Sequence, residues 1–191
     1  MSYLMRIAAF TKEFSINKLY NDLKSRGMAV GKDSLYALME HVFDIYMLAR
    51  VEKYDPAVVK REMSNKKVYL YDNGFATAMQ YSFSEDRGQL LENMVFRHLR
   101  DRTDDIHFIR NGSECDFAAF YHNTDPQLVQ VTAQLQAENA EREIKGLQAA
   151  RKYVGEDAQC LLLVENLSDK VEIPRWVDVI SVRNWLLGEI W

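Results

Sequence analysis

Two short stretches carry the residues best suited to chemistry. Glu114-Cys115-Asp116-Phe117 places acids in an otherwise apolar run, and Leu128-Val129-Gln130-Val131-Thr132 sets a polar residue at every other position of a second run. An acid on one strand facing an acid or amide on the next is how a sheet gathers oxygen ligands around a hard divalent cation. Asp116 and Gln130 are therefore the candidate ligands for Mg2+. Hydrolysis of a phosphodiester at such a centre also uses a lysine, which stabilises the attacking hydroxide or the charge that builds on phosphorus. Thr132 stands where that lysine is needed. Whether the chain cuts nucleic acid turns on this position.

The elements around these strands alternate between helix and strand. Apolar spacing predicts a helix over residues 88–102, with Leu90, Leu91, Met94, Val95 and Leu99 inward, then strands over 106–110, 115–121 and 128–132. A helix over 141–154 follows, then strands at 160–164 and 177–181 and a last helix running to Trp191. A helix, a three-strand meander and a helical crossover to further strands give a mixed sheet between helices, the arrangement of a restriction-endonuclease-like core. Asp116 lies within this sheet, beside Phe117-Ala118-Ala119-Phe120. An acid there requires a partner, a metal or exposure at the strand's end.

The first 80 residues read differently. Tyr3, Leu4, Ile7, Ala8 and Phe10 share one helical face; Ser15 caps a second helix over 16–26; Gly27 ends it; and Asp33 caps a third, with Leu35, Leu38, Met39, Val42 and Phe43 inward. Two helices across a short glycine-containing turn make a helix-turn-helix. A strand over 46–54, a loop containing Pro56 and a strand over 67–71 would form a wing. Lys53, Lys60, Arg61, Lys66 and Lys67 are expected to be exposed and able to meet phosphates, while Lys32, Ser34 and Tyr36 begin the helix that would face a DNA groove. Winged helices also connect proteins, so a basic face of this size fits either partner.

Charge divides the chain in the same place. Residues 1–80 hold 12 Lys and Arg against 9 Asp and Glu, whereas residues 81–191 hold 12 against 19, so a net +3 half precedes a net −7 half. The polar stretch from Gln80 to Gly88 is the expected boundary, giving domains at 1–80 and 81–191. With 48% hydrophobic and 27% charged residues the composition is globular. No apolar run reaches the roughly 18 residues of a membrane span, and the start lacks the layout of a signal peptide, so no membrane partner and a cytoplasmic location are expected. Cys115 and Cys160 have no zinc-type spacing and read as small apolar residues on buried strands. Gly27-Met28-Ala29-Val30-Gly31-Lys32-Asp33 has three residues between its glycines and no hydroxyl after the lysine, so it is a turn and not a phosphate-binding loop.

The residues Lys67 to Phe75, Gly88 to Phe96, Glu114-Cys115-Asp116-Phe117 and Arg142-Glu143-Ile144-Lys145-Gly146-Leu147 resemble, in order, the C-terminal region of prokaryotic AAA+ ATPases with an ATPase-associated domain of unknown function. The likeness covers nearly the whole chain. It implies a winged helix followed by a PD-(D/E)XK nuclease-like domain, a pair that normally follows an ATPase module, so an ATPase module or another protein is an expected partner besides DNA. No ATPase activity is expected from this chain alone.

Carried over residue by residue, Glu92 matches the helix acid, Asp116 the central metal-binding acid, Gln130 the glutamate-or-glutamine position and Thr132 the lysine. Glu92 would orient a water, and Asp116 with Gln130 would hold Mg2+. A neutral Gln130 leaves less negative charge for the ion. Two readings follow: a nuclease-fold module whose catalysis has lapsed, binding DNA or a protein; or a metal-dependent nuclease in which Lys145 or Arg142 replaces the missing lysine. A third is a winged-helix protein resembling transcription regulators. The plainer reading of Arg142, Glu143 and Lys145 is a solvated helix face with weak local ion pairs, and that of Glu92 is an ion pair with Arg97 or Arg110.

Overall fold

The computed structural model describes residues 14–78, 87–167 and 171–189. It divides into two compact units, Met1–Glu85 and Asp86–Trp191. The first helix expected over Tyr3 to Phe10, the boundary stretch and Trp191 lie outside the described residues.

In the first unit, α1 spans Ile16–Ser25 and α2 spans Lys32–Asp44. Ser15 caps α1 as expected, its side-chain oxygen accepting from the Lys18 N–H at 3.2 Å, and Leu19 and Leu23 are buried one turn apart. Gly27 follows at φ +76°, the left-handed conformation that lets the chain turn without a Cβ clash. The start of α2 corrects the expected cap. Gly31 occupies the N-cap position and Asp33 falls in the first helical turn, where its carboxylate faces the positive end of the helix dipole. Leu35, Met39 and Val42 supply its buried face.

Strands β1 (Leu48–Lys53) and β2 (Lys66–Leu70) pair antiparallel, from Leu48 opposite Leu70 to Glu52 opposite Lys66. The expected loop between them contains a short helix, α3 (Val58–Met63), which buries none of its residues. A further short helix, α4, spans Gly74–Ala78.

The second unit is α/β, a mixed sheet flanked by helices. It runs α5 (Arg87–Arg100), β3 (Ile106–Asn111), β4 (Ser113–Ala119), β5 (Gln127–Leu135), α6 (Ala137–Val154), β6 (Gln159–Leu167), β7 (Val177–Ser181) and α7 (Val182–Leu187). The strands stand in chain order; β3, β4 and β5 form an antiparallel meander, and β6 and β7 add parallel to β5. Only a crossover can make a parallel neighbour, and α6 supplies it between β5 and β6.

Strand alternation assigns the two faces. Phe117 and Val129 are paired across β4 and β5, and the Phe117 ring meets Phe96 of α5 with centroids 6.3 Å apart. Asp116 and Gln130, one residue away on each strand, therefore turn to the opposite face, which α6 covers. Of the expected inward residues on α5, Leu91, Val95 and Leu99 are buried, while Met94 is 42% exposed. Cys115 and Cys160 are buried as expected, and burial pushes the Cys160 thiol up to about 11.

Candidate functional site

The site is built where α6 lies against β4 and β5. The buried positions of α6 are Ala140, Glu143, Gly146, Leu147 and Ala150, at helical spacing and mostly small. Gly146 is the tightest point. A Cβ there would stand 2.1 Å from the Glu114 carbonyl oxygen, so a side chain at this position is incompatible with the observed approach of helix to strand. One turn earlier, that approach brings Glu143 onto the sheet.

The side chains at this contact form a continuous chain of hydrogen bonds. The Asp116 main-chain N–H donates to Gln130 Oε1 at 3.2 Å, and Gln130 Nε2 donates to Glu143 Oε2 at 2.7 Å. Asp116 Oδ2 accepts from the Val131 N–H at 3.0 Å, so the carboxylate clips β4 to β5. Beyond Glu143, the Arg142 guanidinium donates to Glu143 Oε1 through Nε at 3.1 Å and through a second nitrogen. Asp116, Gln130 and Glu143 are 7%, 7% and 3% exposed, whereas the Arg142 side chain is 79% exposed. Hydrogen bonding to Glu143, then the charge of Glu143 with a contribution from Asp116, holds the Arg142 pKa above its already high ordinary value.

Two expectations are corrected here. Glu143 does not sit on a solvated helix face: it is a buried acid held from both sides. Lys145, offered as a replacement cation, points elsewhere, and its Nζ pairs with Glu141 at 2.7 Å on the exposed side of α6. Arg142 instead bonds to Glu143, and its charge also acts on Asp116. Thr132 shares the strand face of Gln130, yet its hydroxyl donates to the Gln134 carbonyl at 3.1 Å. That same carbonyl accepts from Asn139 Nδ2 at 2.7 Å, so Thr132 helps to hold the turn from β5 into α6. Glu92 is half-buried on α5, the helix whose Phe96 packs on the other face of the sheet. Arg97 and Arg110 bridge Asp101 and Glu114.

These groups are a poor fit for Mg2+ as arranged. A hard dication takes oxygen ligands, and here an amide N–H faces Glu143 while one Asp116 oxygen is engaged by a main-chain N–H. Among the described residues no cluster of three or more His, Cys, Asp or Glu side chains is placed to hold a metal ion.

The first-unit candidates divide. Lys67 is buried at 6% exposure on β2, where Lys67, Val68, Tyr69 and Leu70 are all buried and both strand faces are therefore covered. Lys66 is also unsuited to a phosphate: its Nζ pairs with Glu52 at 2.8 Å and donates to the Arg61 and Glu62 carbonyls at 2.6 and 3.0 Å, closing the end of α3. Lys53 and Arg61 are half-buried, and Lys60 is exposed. At the start of α2, Lys32 donates to Asn17 Oδ1 at 3.0 Å and lies over the Tyr20 ring, while Ser34 and Tyr36 face solvent. The exposed face of α2 also carries Ala37, His41 and three acids, Asp33, Glu40 and Asp44, of which Glu40 is bridged by Arg50 at 2.8 Å. Exposed apolar side chains stand close by in sequence on α3: Val58, Val59 and Met63.

Among the described residues no helix is long and apolar enough to cross a membrane. The chain is similar to the uncharacterized protein MJ1544 of Methanocaldococcus jannaschii, with 31% identity over 151 residues, covering 76% of this chain and 33% of that protein. It thus spans about a third of the length of this relative. No family model and no solved structure matches the chain.

Proposed function

We propose that this chain is a non-catalytic nuclease-fold module joined to a winged-helix-like unit, and that its partner is a protein, such as the ATPase module that the resemblance implies. One observation carries the reading: Asp116, the expected metal-binding acid, is engaged by the Val131 N–H, and the Gln130 amide beside it is spent on Glu143, which Arg142 also holds. A centre that must release its acids to an ion and a phosphodiester gains nothing from such closure. Thr132 offers no charge, and its hydroxyl is directed to a carbonyl at the end of β5.

Charge favours a protein over DNA. Affinity for DNA comes chiefly from Lys and Arg that neutralise phosphates. In the second unit Arg87, Arg97, Arg100, Arg110 and Arg151 each already bridge an acid, within the stretch 81–191 whose net charge is −7. The helix that would enter a groove, α2, carries more acid than base. Val58, Val59 and Met63 on α3 are instead the kind of exposed apolar group that protein contacts cover.

A second reading keeps one support. Arg142 is a permanent cation beside Glu143 and within electrostatic reach of Asp116, so an active nuclease would use it in place of lysine. Fluorescence anisotropy with labelled duplex and single-stranded DNA at about 0.15 M salt tests the partner class. No binding is expected; tight, salt-sensitive binding weakened by Lys60→Glu would overturn the protein reading.

A further inference from the structure

Donor accounting fixes which way Gln130 points. The buried Asp116 N–H needs an acceptor, so Oε1 must face it, and the amide nitrogen is left to face Glu143. Flipping the amide would set nitrogen against N–H on one side and oxygen against a carboxylate on the other. Neither contact is tenable for buried groups. The Gln130 amide is thus a fixed N–H donor aimed at a carboxylate, on the strand face that also carries Asp116.

Two acids on one buried face normally need a shared proton, a metal or a fixed cation. Here Arg142 supplies the fixed cation, and the Gln130 amide adds a hydrogen bond. Gln130 donates to Glu143 Oε2, and Arg142 donates to Glu143 Oε1, so both oxygens of the carboxylate are satisfied. Arg142 also acts on Asp116 through space. Replacing only the Gln130 nitrogen by oxygen would place a carboxylate oxygen against Glu143 at the observed separation of 2.7 Å. Such a pair cannot remain doubly ionised without a cation between its members.

We propose that this site holds its acids without a metal, the Arg142 guanidinium supplying the opposing charge and the Gln130 amide presenting an N–H where an ion would need an oxygen, so that the wild-type site excludes divalent cations. The inference deepens the non-catalytic reading of the same site and rests on it only for the idea that Asp116 is a retained ligand. Its consequence is a site one atom from metal binding: Gln130→Glu sets two carboxylates at positions 130 and 143 that must take up either a proton or a divalent ion, and near neutral pH Mn2+ is expected to displace the proton.

The test is Mn2+ binding by the full chain near neutral pH, read by calorimetric titration and by thermal unfolding with and without the ion. Wild type is expected to show no saturable heat and no shift in Tm with Mn2+ or EDTA. Gln130→Glu is expected to lose Tm in EDTA, to regain it in Mn2+ as mass action requires, and to forfeit that dependence in the double variant Gln130→Glu/Glu143→Gln. Arg142→Ala in the wild-type background should lower Tm without creating saturable Mn2+ binding while the amide remains. Three results would overturn the proposal: saturable Mn2+ binding by wild type that Asp116→Ala abolishes, a folded Gln130→Glu variant indifferent to Mn2+, or an unfolded one that Mn2+ does not rescue. The second and third sink this proposal alone and leave the absence of catalysis standing. Cleavage of DNA by wild type sinks the non-catalytic reading independently.

Discussion

The two units differ in what they bury and what they leave exposed. Where α6 meets β4 and β5, acids and amide are drawn inside and each named group finds a partner within the chain. On the first unit the short helix α3 buries nothing, and Val58, Val59 and Met63 are left to solvent. Buried polar groups with satisfied hydrogen bonds hold a fold in one arrangement; exposed apolar groups are available to something else. The difference separates residue type from role. Asp116, which looks catalytic, clips β4 to β5, whereas Val58, Val59 and Met63 stand exposed beside Lys60 and Glu62 on a helix that the sequence pattern does not announce.

The contrast can be broken most strongly at Gly146. Gly146→Ala drives a methyl into the Glu114 carbonyl, and a loss of about 3 kcal/mol is expected from forced overpacking. Urea unfolding measures it, and a loss well under 1 kcal/mol would show that the α6 contact is looser than described. Glu143→Ala comes next. It strips the acceptor from Gln130 and Arg142, and about 2 kcal/mol is expected from the buried amide left unpaired. No loss would mean that Glu143 is the solvated acid that its neighbours suggest.

Smaller effects sharpen the first unit's side of the comparison. Ser15→Ala removes the α1 cap and should cost about 1 kcal/mol, read in the same unfolding experiment. Met63→Ser should change stability by no more than about 0.5 kcal/mol, because the side chain is 82% exposed. A larger loss there would mean that α3 is covered within the chain and is not a free surface.

The sequence was most readable where a single local rule governs. Ser15 caps because a hydroxyl before an amphipathic run has one good use, and β7 occupies residues 177–181 as its β-branched pattern predicts. Asp116 on an apolar strand required a partner, and the Val131 N–H is part of the answer. Glu143 was missed because Arg142-Glu143-Ile144-Lys145 alternates charge like a solvated helix. The usable signal lay in Ala140, Gly146 and Ala150, small residues whose spacing marks the closely packed face that includes position 143. Lys67 misled for a related reason: alternation assigns a lysine to solvent only when one strand face is open, and both faces of β2 are covered. The helix α3 escaped notice because six residues after Pro56 show less than two turns of pattern. Nothing local distinguishes Thr132 the clamp from Thr132 the lost lysine until the Gln134 carbonyl is in place.

The central claim is that these acids no longer serve chemistry. The direct measurement is incubation of the full chain with supercoiled plasmid and single-stranded DNA in Mg2+ and in Mn2+, wild type beside Asp116→Ala. The account predicts no cleavage by either protein in either metal. Cleavage by wild type that Asp116→Ala abolishes would contradict it, and would make Arg142 the first residue to examine as the replacement cation.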